Sequence, residues 1–180
     1  YCTVNTGTVH GNMETVIGDN CLFMISSHVA HDCIVGDNVI LANNATLGGH
    51  VILDNNVIIG GLAAIHQFVR IGKFAIIGGV SAVVEDVAPF ASVAGDRAKI
   101  IGINIVGMKR NNYSKNSINI VKNVFKEIFS KDSNKGFDEK IRVIKSDYNN
   151  DESNEIIKFL EIDGKRGFCM PSHKWELNDQ

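Results

Sequence analysis

A six-residue register runs through the first half of this chain, and few folds can accommodate one. Stepping by six from Ile17 meets Phe23, Val29, Val35, Leu41, Leu47, Leu53, Ile59, Ile65, Ile71, Ile77, Val83 and finally Pro89, a column of large apolar side chains broken only at its last step. Four residues after each stands a small or β-branched side chain, from Cys21, Ser27 and Cys33 through to Ser81, Val87 and Val93. A helix of 3.6 residues per turn loses such a register, whereas a parallel β-helix with three short strands per coil keeps it, turning one large and one small residue inward from each side. The chain therefore reads as mainly β, with coils 17–34, 35–52, 53–70 and 71–88 stacked about 4.8 Å apart. Asn, Asp and Gly fill many intervening positions, as in Asp19-Asn20, Asn43-Asn44, Asn55-Asn56, Gly60-Gly61 and Gly78-Gly79. Such residues tolerate the left-handed backbone that tight corners require.

Before Ile17 the register breaks. Val4 and Val9 fall out of phase, and the polar stretch from Thr6 to Thr15 reads as an inserted loop. An unpaired first coil would be an aggregation-prone edge, so further coils are expected to precede Tyr1, and this 180-residue piece is expected to be weak or inactive alone. Near residue 111 the composition changes: 14 of the 17 glycines lie in 1–110, and 24 of the 38 Asp, Glu, Lys and Arg residues lie in 111–180. The expectation is a β-helix over 1–110 and a small α-helical C-terminal domain over 111–180. Ile118, Val121, Val124, Phe125, Ile128 and Phe129 have helical spacing behind a capping Ser114. Further helices are expected over 138–147 and from Ser153 to Ile162, the latter capped by Asp151.

A net charge of −2 offers no broad positive field, so nucleic acid is not an expected partner. No apolar run reaches the roughly 18–20 residues of a membrane span, and the start lacks the plan of a signal peptide. Cys2, Cys21, Cys33 and Cys169 show no C-x-x-C spacing, which fits a reducing compartment and sets aside a cysteine-held zinc.

Folded at 18 residues per coil, His31, His50 and His66 all fall in the third hexapeptide of successive coils, along one edge of the prism. His28 lies just before the same face. Asp32, Asn43, Asn44, Gly49 and Gln67 stand beside them. Imidazole titrates near neutrality, so such a row can abstract a proton, hydrogen-bond a phosphate or bind a metal. Spacing alone leaves all three open.

Four motifs narrow the choice: His28-Val-Ala-His31-Asp-Cys33; Ile40-Leu-Ala-Asn-Asn-Ala-Thr46 followed by Gly49-His50-Val51; Ile65-His-Gln-Phe68; and Asn104-Ile-Val-Gly-Met-Lys-Arg110. Together, over residues 1 to about 168, they resemble the acyl-carrier-protein–UDP-N-acetylglucosamine O-acyltransferase family. The resemblance implies a left-handed parallel β-helix and a cytoplasmic homotrimer with active sites in the clefts between subunits. It implies transfer of a (3-hydroxy)acyl group from acyl carrier protein to the 3-hydroxyl of UDP-N-acetylglucosamine, the first step of lipid A biosynthesis, without a cofactor. His31 is then implied to be the general base, Asp32 to orient it, and Gly49 to present a backbone N–H to the oxyanion. His28, His50, His66, Gln67 and Asn104 are implied to bind sugar, phosphate or acyl chain, Arg110 to meet the diphosphate from a neighbouring subunit, and Gly79 to set acyl-chain length. A positioned base typically contributes ~10²–10⁴ in rate. Two other readings stand beside this one: a non-catalytic trimeric β-helix scaffold, and a zinc-dependent lyase resembling the hexapeptide-repeat carbonic anhydrases, whose ligands must converge about 2 Å from one ion.

Overall fold

The computed structural model describes residues 1–130 and 135–172. Its first part is a three-sided parallel β-helix whose sides are three sheets of mostly two-residue strands. Pairing advances by 18 residues: His28 faces Thr46, Thr46 faces Ala64 and Ala64 faces Ala82 on one side, while Val16 faces Ile34 and Leu22 faces Ile40 on the others. The first step is longer. Thr3 pairs with His28 and Val4 with Val29, 25 residues on, so the polar stretch before Ile17 is an insertion within a coil and Val4 returns to the register that its position in the sequence conceals.

Both inward columns are filled as the repeat requires. Leu41, Leu47, Leu53, Ile59 and Ile71 are buried in one, and Val39, Ala45, Val51, Val57 and Val69 in the other. Alternating large and small side chains fill a narrow prism without voids, because three sides converge on one axis. In the same first coil as Thr3 and Val4, Ile17 is exposed and Phe23 half-buried.

The corners differ from expectation. Every sixth residue from Asn20 to Val80 takes a positive φ, including Asn20, Asn38, Asn44 and Asn56 as the sequence indicates. At the Gly60-Gly61 and Gly78-Gly79 corners, however, the left-handed residues are Leu62 and Val80, and the glycines are not left-handed. The repeat geometry, not the residue, sets the conformation. Phe68 and Phe74 are held the same way.

The prism is closed by Lys99–Ile103, which turns back antiparallel onto Ala91–Ala94. Four helices follow: α1 (Ile105–Arg110), α2 (Lys115–Phe129), α3 (Phe137–Asp147) and α4 (Asp151–Glu161). The Ser114 hydroxyl accepts from the Ser117 amide at 3.0 Å, as a cap should. Asn150, not Asp151, caps α4, in a reciprocal box with Ser153. The short α1 has too few turns to show a period and was not expected. The apolar faces of α2, α3 and α4 pack on one another through Val121, Phe125, Ile144 and Ile157.

After α4 the chain runs back to the prism. The Asp86 amide donates to the Gly167 carbonyl and the Cys169 amide to the Asp86 carbonyl, both at 2.8 Å. Beneath this seam lies a buried ion pair: Arg70 Nε donates to Asp86 Oδ2 at 2.7 Å, the Arg70 amide donates to Oδ1 at 2.8 Å, and the guanidinium lies over the Phe159 ring of α4.

Candidate active site

One corner column carries the chemistry. Asp32, His50 and Phe68 are equivalent residues of successive coils, all left-handed, and His31, Gly49 and Gln67 precede them. A left-handed corner swings its side chain out of the wall, so this edge projects a carboxylate and rings instead of a flat strand surface. The ring centroids of His31 and His50 are 5.2 Å apart, edge to face, and Phe68 stacks on His50 at 4.6 Å. The aromatic column is therefore His31, His50 and Phe68. His66 is tied elsewhere: its side-chain hydrogen bonds among the described residues are with Gln67 and Arg166, and none joins it to His31 or His50.

Asp32 is buried and accepts from the Thr8 amide at 3.0 Å, the Thr8 hydroxyl at 2.7 Å and His31 Nδ1 at 2.8 Å. Burial alone would raise its pKa. The hydrogen bonds from Thr8 and His31 outweigh that and hold the carboxyl well below the usual carboxylate range. An ionised carboxylate only accepts, so His31 donates from Nδ1 and its Nε2 is left as a lone pair. Thr8 reaches Asp32 from the inserted loop, which is further tied by Asn12 donating to the Asp32 carbonyl and the Asp32 amide donating to the Thr15 hydroxyl. That loop crosses Asp32 so closely that a Cβ on Gly11 would stand 2.4 Å from the carboxylate.

Gly49 is buried directly below His31. A Cβ added there would meet ring atoms Cε1 and Nε2 at 2.6 Å, so the absence of a side chain lets the imidazole lie flat against the backbone. The Gly49 carbonyl accepts from the Phe68 amide at 3.0 Å, while among the described residues its own N–H donates to no group. A base nitrogen and a free backbone donor are thus adjacent.

The other expected site residues are more dispersed. His28 Nδ1 is 2.7 Å from the Thr3 hydroxyl. Asn104 is buried, its Oδ1 capping α1 at Gly107 and its Nδ2 donating to the Phe74 carbonyl. Arg110 is exposed at the end of α1. Gly79 is exposed at the corner where Val80 is left-handed, and a Cβ on it would lie 3.1 Å from the Gly61 carbonyl. Ligand atoms of His31, Asp32 and His50 lie within 4.8 Å of one another, close enough to be tested against a metal. The fit is poor, because Asp32 Oδ2 already accepts from His31 and Thr8, and His66 belongs to a different contact set.

Sequence reasoning missed Thr8, Thr15, Lys165 and Arg166. The break in register and the threonines within it were the one available signal for the first two. Lys165 lies 4.0 Å over the Phe68 ring and Arg166 contacts His66, both from the segment after α4, which carries no period of its own.

Residues 86–169 match the family described as UDP N-acetylglucosamine O-acyltransferase, domain 2, and residues 14–49 match the bacterial transferase hexapeptide family. The chain is 50% identical over 175 residues to an acyl-(acyl-carrier-protein)–UDP-N-acetylglucosamine O-acyltransferase of Azorhizobium caulinodans, covering 96% of this chain and 63% of that one. It is 48% identical over 170 residues to the protein of the same name in Bartonella tribocorum, covering 94% and 62%. The solved UDP-N-acetylglucosamine acyltransferase of Campylobacter jejuni superposes with a TM-score of 0.85 at 36% identity, over 95% of this chain and 68% of that one. The chain thus spans somewhat under two thirds of the curated relatives' length.

Proposed function

The chain belongs to the UDP-N-acetylglucosamine O-acyltransferase family, and from that premise we propose that it transfers an acyl group from acyl carrier protein to the 3-hydroxyl of UDP-N-acetylglucosamine, with His31 as general base. The observation that carries this reading is the Asp32–His31–Gly49 arrangement: a carboxylate fixes the imidazole through Nδ1, and the remaining lone pair on Nε2 faces a glycine whose backbone N–H has no partner among the described residues. In the proposed reaction His31 Nε2 takes the hydroxyl proton as the sugar oxygen attacks the thioester carbonyl carbon. The Gly49 N–H donates to the oxyanion that forms. Collapse breaks the carbon–sulfur bond, and the proton on His31 passes to the leaving thiolate. Asp32 stabilises the imidazolium between the two steps and stays ionised throughout.

In the same reading His50 and His28 line the sugar nucleotide, His66 and Gln67 contact it further along the edge, and Asn104 acts through position by anchoring α1, whose last residue Arg110 meets the diphosphate of a neighbouring subunit. Arg suits that task because its planar fork is always charged. Gly79, without a side chain, leaves room for the acyl chain. A homotrimer is proposed, supported by the exposure of Leu62 and Val80 along another edge of the prism. The division at residue 110 into β-helix and helical domain is likewise part of the proposal. A cytoplasmic setting is supported by four unpaired thiols, and among the described residues no helix is long and apolar enough to cross a membrane.

The test is an acyl-transfer assay with a 3-hydroxyacyl carrier protein and UDP-N-acetylglucosamine, on this chain and on the intact gene product. The intact protein should form an ester at the 3-hydroxyl, and His31→Ala should lower turnover by ~10²–10⁴ while sugar-nucleotide binding persists. Undiminished turnover in His31→Ala would remove the mechanism.

A further inference from the structure

His66 Nδ1 and the Gln67 carbonyl lie 3.1 Å apart. Left to themselves they have one hydrogen-bonded arrangement, in which Nδ1 carries the ring proton and donates it to the carbonyl, leaving Nε2 bare. Arg166 intervenes from the segment after α4. Its Nη2 lies 2.7 Å from His66 Nδ1, and its Nε donates to the Gln67 carbonyl at 3.1 Å. A guanidinium has five donors and no acceptor, so Nδ1 has to accept and the proton has to sit on Nε2.

We propose that Arg166 is a positioning residue that inverts the tautomer of His66, so that His66 presents an N–H donor, not a lone pair, to the ligand of this edge. His66 and Arg166 line one groove with Ala82, Val84, Asp96 and Arg97. An N–H donor there suits a phosphate or carbonyl oxygen and is useless as a base. His31 and His66 are thereby set to opposite tasks by oppositely charged neighbours: Asp32 turns His31 into an acceptor at Nε2, and Arg166 turns His66 into a donor at Nε2. The same segment also places Lys165 over Phe68, so its hold on the edge spans two neighbouring corner residues. The identity of the ligand as UDP-N-acetylglucosamine rests on the function proposed above, whereas the tautomer does not.

Long-range proton–nitrogen correlation spectra of the full chain, labelled with nitrogen-15 and assigned with His66→Gln, read the tautomer directly. The unsubstituted protein should show His66 protonated at Nε2, Arg166→Met should move the population toward Nδ1, and Arg166→Lys, which retains a donor, should keep Nε2 protonated. UDP-N-acetylglucosamine affinity, measured by calorimetry, should fall about tenfold in Arg166→Met, the loss of one charge-influenced hydrogen bond, and recover largely in Arg166→Lys. A proton on Nδ1 in the unsubstituted chain would overturn the proposal even where Arg166→Met fails to fold, and so would an unchanged Nε2 proton in Arg166→Met. Nε2 protonated as expected, with no sugar nucleotide bound by the intact gene product, would sink the proposed function and leave the role of Arg166 standing.

Discussion

The imidazole of His31 rests on the backbone of Gly49, with no room between them for a methyl group. Gly49→Ala should therefore act on catalysis before it acts on folding. Displacing the ring by about 1 Å is expected to lower kcat by ~10²-fold, with a stability cost of about 1–3 kcal/mol for the overpacked contact. Steady-state kinetics beside a urea melt separate the two effects. A variant with normal kcat would show that the ring has another place to sit.

Asp32 has a folded pKa depressed below its unfolded value of about 3.9. The unfolded chain then binds more protons than the native one in that interval, so the stability this group contributes is complete above about pH 5 and is lost as pH falls through 3.9 toward the folded value. The difference in denaturant midpoint between the unsubstituted protein and Asp32→Asn should accordingly be larger at pH 6 than at pH 3. Thr8→Val removes one of the bonds that depress the folded pKa, so its acid loss should start at the same unfolded value but be smaller and be complete at higher pH. Parallel pH profiles for all three proteins would contradict this account.

The Arg70–Asp86 pair is buried beneath the returning segment, with Arg70 Nη2 lacking a partner among the described residues. Arg70→Met strands a buried carboxylate and should destabilise by about 3–5 kcal/mol. Pairing it with Asp86→Leu should restore much of that loss, because two apolar groups leave no charge to desolvate. A double variant no more stable than the single one, in chemical denaturation, would refute the argument.

Val80 is a β-branched residue at φ 56° and 72% exposed. Left-handed backbone costs such a residue roughly 1–2 kcal/mol, which Asn largely avoids. Val80→Asn should raise the urea midpoint by the equivalent of about 1 kcal/mol. A lowered midpoint would mean that Val80 is covered in the assembled protein.

The prism was legible because its signal is repeated: the ten buried side chains from Val29 to Val83 in one column outvote any single exception, and α2 announced itself by spacing and by its Ser114 cap. The His31-Asp32 pair and Gly49 were readable as a motif. What escaped was whatever depends on chain segments meeting across long separations. Thr8 lies 24 residues from Asp32, and Arg166 lies 100 from His66. The placement of His66 shows the limit of counting by coils. His31, His50 and His66 fall in the third hexapeptide of successive coils, but only a residue 18 after His50 inherits its direction, and that residue is Phe68. The glycine corners erred for a related reason, since two neighbouring coils impose a left-handed bend on Leu62 and Val80 that their own preferences resist.

His31 and Gly49 sit on adjoining coils joined by hydrogen bonds such as that from the His50 amide to the His31 carbonyl. Removing one hexapeptide between Cys33 and Gly48 would leave a stackable sequence with a sound interior, yet the glycine would arrive under a different face and the imidazole would have nothing to rest on. On the proposed mechanism the chemistry requires eighteen residues from His31 to Gly49, a spacing that an apolar register repeating every six does not by itself impose.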